Sequence, residues 1–182
     1  MRYALATTAL VLTGFLSGCQ AFGDFLDFGS EQERAEAQAR ADDAHLWEMT
    51  LMAGRYGVML GQAREILNLP EPKRVPGEQF PTGDQDPAKQ RAALAKYQAD
   101  VTAEFAADVG AACKRKRVPA SVRKAACGQK VPDELRIAVK PEMKALEARN
   151  DRVGEVITPW WDTVCATAPK PKDGDVPVCV ME

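Results

Sequence analysis

The chain has 182 residues, a formal net charge of −2 and 46% hydrophobic side chains. That length suits one domain with one hydrophobic core, and the near-neutral balance excludes a strong overall attraction to nucleic acid. Aromatic residues make up only 7%, which together with abundant alanine favours helix over strand.

Met1-Arg2-Tyr3 places one positive charge ahead of an apolar stretch from Ala4 to Phe15. That stretch has the length of a secretory signal core and falls short of the ~20 residues that span a bilayer. Leu16-Ser17-Gly18-Cys19 follows. The small side chains of Ser17 and Gly18 give membrane-surface enzymes access to the backbone and to the Cys19 thiol. This segment resembles the lipobox of bacterial lipoproteins, in which Leu, a small residue and Gly or Ala precede the cysteine. The resemblance covers residues 1–19 only. It implies that residues 1–18 are a signal peptide and that Cys19 becomes the first residue of an envelope lipoprotein. Cys19 would carry a diacylglycerol and often an N-acyl chain such as palmitate. Two or more acyl chains anchor stably, at ~0.8 kcal/mol per buried CH₂. By analogy with enteric sorting, Gln20 in place of aspartate favours the periplasmic face of the outer membrane over the inner membrane.

Residues 19–29 read as a lipidated tether, apolar and punctuated by glycine. Ser30 and Glu33 then form a capping box that opens a long helix. Its first turns, to about Ala44, contain alanine and charge and read as solvated. From Leu46 the pattern sharpens: Leu46, Met49, Ala53, Tyr56, Leu60, Ala63 and Leu67 recur at steps of three and four, the seam of a packed helix. The helix ends near Asn68, ahead of Pro70 and Pro72. Residues 69–86 are rich in Pro and Gly and read as a long crossover, with a binding loop as the alternative.

Asp86-Pro87 starts a second helix, with Asp as N-cap and Pro at the first helical position. Leu94, Tyr97, Val101, Phe105, Val109 and Ala112 form its apolar stripe, and the helix runs to about Lys116. A short helical turn covers Ala120–Cys127, and another begins at Asp133. Met143, Leu146, Val153, Ile157, Trp160 and Val164 share one face of a third long helix. Pro159 is expected to kink that helix or to start a new one, with Thr158 as its cap. The expected fold is all-α, an antiparallel bundle of three long helices and one or two short ones. It spans residues 30–168, and an extended tail, 169–182, is tied back by a disulfide.

Besides Cys19 there are four cysteines: Cys113, Cys127, Cys165 and Cys179. An even number in an exported chain reads as disulfides. Three connectivities are open, and the equal spacings favour Cys113–Cys127 with Cys165–Cys179. No C-x-x-C is present and the one histidine is distant, which argues against zinc, thiol-redox chemistry and attached haem.

Charge is uneven along the chain. Residues 20–112 carry a net −7 and residues 113–149 a net +7. The run Lys114, Arg115, Lys116 and Arg117 is the candidate partner-binding site, for anionic lipid headgroups, an acidic envelope protein or a cell-wall polymer. The competing reading is a solvated helix end that offsets the helix dipole. His45, Met49 and Met52 lie on one side of a helix with Cu(I)-type ligands, but methionine at this spacing is more often core filler, so no metal or other cofactor is expected. Trp160-Trp161 reads as core plus partial cover, with a sugar or peptide platform as the alternative. No catalytic motif, nucleophile elbow or phosphate loop is found. The expectation is therefore a non-enzymatic, lipid-anchored bundle that binds a protein or cell-wall partner and no nucleic acid. The alternatives are a periplasmic small-ligand or Cu(I)-binding module and a cell-wall-active enzyme or its regulator.

Overall fold

The computed structural model describes residues 31–70, 86–169 and Cys179. The signal segment, Cys19, the tether and Ser30 of the capping box lie outside the described residues, as do residues 71–85 of the crossover and most of the tail. Among the described residues the fold is all α. Helix α1 is Glu31–Leu67, α2 is Pro87–Lys114, α3 is Ala120–Gly128 and α4 is Met143–Cys165, with a 3-10 turn at Asp133–Arg136. None of these helices is long and apolar enough to cross a membrane.

The chain divides into two units, residues 1–42 and 43–182. In the first, Glu31–Asp42 is helical with every side chain exposed. The boundary between them falls inside α1. Glu31–Ala44 offers alanine, glutamine and charge and has no large apolar group to pack. In the second unit, the three predicted seams meet in one core. Leu46, Leu60, Leu94, Phe105, Leu146, Val153 and Ile157 are all essentially inaccessible to solvent, and each such side chain contributes about 1.5–3 kcal/mol of transfer free energy.

The three long helices run parallel, not antiparallel as the sequence reading expects. His45 and Met49 of α1 lie level with Glu147 and Asn150 of α4, and Gln62 lies level with Trp161. Gln98 of α2 meets Asn150, and Phe105 meets Trp160 edge to face at 6.4 Å. Toward their ends, Arg64 and Asn68 of α1 meet Asp108 and Arg115 of the α2 end. Numbering rises in the same direction in every pair. Parallel neighbours require the chain to return between them, and the long connection after α1 and the α3 segment after α2 supply that length. Tyr56 packs over Gly154, where an added Cβ would stand 2.5 Å from the tyrosine oxygen. Glycine lets α1 and α4 approach at that level.

Local signals behave as read for α2. Asp86 Oδ1 accepts from the backbone N–H groups of Ala88 and Lys89 at 3.0 and 3.2 Å, and Pro87 takes the first helical position. Pro159 starts no new helix, and α4 continues through it to Cys165. The carbonyl left without a helical donor is that of Glu155, which is exposed to water. The Thr163 hydroxyl donates to the Pro159 carbonyl at 2.7 Å.

Both disulfides take the favoured connectivity. Cys113–Cys127 spans a Cα separation of 4.8 Å and Cys165–Cys179 one of 5.9 Å. The first ties the end of α3 back onto the last turn of α2. Replacing Cys113 and Cys127 with serine is expected to lower the unfolding free energy by about 3 kcal/mol, from loop-closure entropy. Denaturant unfolding of the paired variant against the oxidised parent measures this. An unchanged midpoint would mean that the bridge constrains nothing.

Candidate functional site

The parallel arrangement gathers the C-termini of α1, α2 and α4 at one end of the bundle. Their carbonyl ends concentrate negative dipole there, and cations at such a site are stabilising by roughly 0.3–1 kcal/mol each. The predicted basic run sits at this place. Helix α2 ends at Lys114, and Arg115 leaves it in extended backbone, its N–H still donating to Ala111. Residues 115–119 form an elbow into α3, with Val118 buried beneath it. Arg123 of α3 holds the elbow from inside, its Nη1 donating to the carbonyls of Lys116 and Val118 at 3.2 and 3.3 Å.

The four basic residues do different things. Arg115 Nη1 donates to the carbonyl of Asn68 at 2.5 Å. Asn68 adopts a left-handed φ of 50° as α1 terminates, so Arg115 satisfies an orphan carbonyl at the end of a neighbouring helix. Lys116 and Arg117 are exposed on the elbow, and neither joins an ion pair among the described residues. Arg115, Lys116 and Arg117 line a surface cavity of about 390 Å³. A second, of about 180 Å³, is lined by Ile66, Leu67, Asn68, Arg115, Arg117 and Pro119. Pro119 at the α3 N-cap supplies no side-chain acceptor, so the first amides of α3 add positive potential beside these cations. Lys114 is exposed in the last turn of α2 and lines neither cavity. The site is suited to holding an anion.

The other sequence candidates separate. His45 Nε2 stands 3.8 Å from Glu147 Oε1 in an exposed pair. Met49 is buried at 4% exposure, and Met52 is exposed at 44%. One thioether therefore belongs to the core and the other to the surface. No group of three or more His, Cys, Asp or Glu that could hold a metal ion occurs among the described residues. Trp160 is core, and Trp161 is half-buried and donates its indole N–H to Gln62 Oε1 at 3.0 Å, as core plus partial cover predicts.

Sequence reasoning missed two buried polar clusters. In one, Gln98 Nε2 donates to the Leu146 carbonyl and to Asn150 Oδ1, and Asn150 Nδ2 donates to the Met49 carbonyl at 3.3 Å. This chain of bonds joins all three long helices at one level. In the other, Arg64 donates to Glu104 Oε2 at 2.7 Å and to Asp108 Oδ1 at 3.0 Å, with all three side chains buried. Burial by itself would lower the Arg64 pKa, but the two carboxylates outweigh it and raise it. Burial pushes Glu104 above the usual carboxylate range, against the pull of Arg64 and with help from Asp108 and Asp100. Burial and the Glu104 charge push the Tyr97 phenol up to about 12. The spacing of Glu104 and Asp108, one helical turn apart inside an apolar stripe, was the available signal. No known protein family, curated protein or solved structure matches this chain.

Proposed function

We propose that this chain is an exported lipoprotein, anchored through Cys19 at the periplasmic face of the outer membrane, whose bundle presents the α2–α3 elbow to an anionic protein or cell-wall partner. The observation that carries the partner reading is the division of labour in the basic run. Arg115 is committed to the carbonyl of Asn68, whereas Lys116 and Arg117, which line a cavity with it, join no ion pair among the described residues. Cations needed only to offset helix dipoles have no reason to line a cavity. Rim charges of this kind govern association rate and salt dependence more than the stability of the fold.

Two measurements test the reading separately. For the anchor, Cys19→Ala is expected to leave the membrane fraction and to lose the mass of the acyl groups. A variant that still sedimented with membranes at its normal processed mass would refute lipidation. For the partner, crosslinking and pull-down from intact cells is compared between the parent and Lys116→Glu with Arg117→Glu. The pair of reversals leaves Arg115 in place and is expected to reduce capture by about tenfold or more, with thermal stability within about 0.5 kcal/mol of the parent. Equal recovery of the same partner would remove the elbow from the proposal.

A further inference from the structure

Four of the five large apolar side chains exposed among the described residues lie on α1: Trp47, Leu51, Met52 and Val58, between 40% and 59% accessible. Trp47, Leu51, Gly54, Val58 and Gly61 recur at steps of four and three. They form a second seam on the flank of α1, beside the one buried in the core. Gly61 is exposed, with open space where a Cβ would stand. A helix with two apolar seams packs on two sides, and the bundle covers one of them.

We propose that this face pairs α1 antiparallel with α1 of a second copy of the chain. The charges beside the seam specify both the partner and the direction. Glu48 and Arg55 are exposed and seven residues apart on one line of the helix, and neither joins an ion pair among the described residues. In a twofold antiparallel pair centred between Leu51 and Gly54, Glu48 faces the partner's Arg55, and the symmetry axis repeats that contact. The same register sets Trp47 against the partner's Val58 and Leu51 against the partner's Gly54, large groups over smaller ones. A parallel pair would instead set Asp43 against the partner's Glu48, two like charges. An unrelated partner has no reason to match a charge pattern that is complementary to itself.

The test uses the full-length protein in the membranes that hold it. Trp47→Cys with Val58→Cys, treated with a mild oxidant, is expected to give a disulfide-linked dimer on a non-reducing gel. The two positions are about 16 Å apart along one helix, so they do not close within a chain. Trp47→Cys by itself is expected to stay monomeric. Added to the paired variant, Gly61→Leu should cut the dimer about tenfold, since a Cβ at that position meets nothing in its own copy. Glu48→Arg should also reduce it, and adding Arg55→Glu should restore it. No dimer from the paired variant, or an adduct of another protein's mass, would overturn the proposal. Equal dimer from Trp47→Cys alone would overturn the antiparallel direction.

Discussion

Replacing Arg64 with methionine is expected to destabilise the bundle by about 3–5 kcal/mol, a large share of the stability of a domain this size. Methionine fills much of the arginine's volume, so the loss is not mainly a cavity. It is the cost of leaving Glu104 and Asp108 buried without the guanidinium that solvates both. Removing the charges together, with Arg64→Met, Glu104→Leu and Asp108→Leu, should recover most of that loss, because a well-packed apolar core replaces a buried ionic cluster at little cost. Urea unfolding of the single and triple variants measures both. A single variant within 1 kcal/mol of the parent would mean that the cluster is solvated. The same cluster fixes the sign of a pH dependence. The folded pKa of Glu104 is raised, so the folded state holds that proton more tightly than the unfolded chain does. Its stabilising contribution is complete below the ordinary carboxylate range and is lost as pH rises through the raised value. Glu104→Gln keeps a hydrogen-bonding group beside Arg64 and removes this titration. Its stability should therefore equal or exceed the parent's at neutral pH, with the difference shrinking as pH falls. A gap that widened on acidification would reverse the assignment.

Shortening the connection between α1 and α2 is expected to abolish the native fold. Met49 and Gln98 lie at one level, joined through Asn150. From there α1 descends about 27 Å to Leu67, and α2 starts about 16 Å higher, at Pro87, at 1.5 Å per residue. The chain must climb about 43 Å between the two helices. Its present length reaches ~65 Å when extended, and removal of residues 73–82 leaves ~35 Å. The deletion variant should lose cooperative unfolding and the Cys113–Cys127 pairing, as read by calorimetry and by peptide mapping of the disulfides. An antiparallel bundle would tolerate the same deletion, since a short turn suffices there. Native-like unfolding of the variant would contradict the parallel order.

Much of the candidate site was legible. The run Lys114 to Arg117, the helix end before it and the Cys113–Cys127 bridge that shapes the elbow all follow from local pattern and cysteine spacing. What each cation does was not legible. Arg115 and Lys116 are equivalent in sequence, and only the arrival of Asn68 from a helix 47 residues earlier gives one of them an internal acceptor. Of the two outcomes expected at Pro159, the start of a new helix is not seen. A proline inside a helix leaves the carbonyl four residues earlier without its donor, and here that carbonyl belongs to the exposed Glu155.

The all-α class, the three apolar seams and the α2 cap at Asp86 are legible in the chain's local pattern, and the equal spacings favour one cysteine pairing among three. Each of these depends on neighbours within one or two helical turns, or on the spacing of the cysteines. The fold in three dimensions decided the direction of the helices, the meeting of Arg64 with Glu104 and Asp108, and which member of the basic run reaches the Asn68 carbonyl. A 3.6-residue period reports which face of a helix is apolar and is blind to which way the neighbouring helix runs. The length of the crossover at 69–86 was the one local hint of parallel order. Polar residues inside the seams find their partners only after the chain has returned along the bundle, at separations of 40 residues and more.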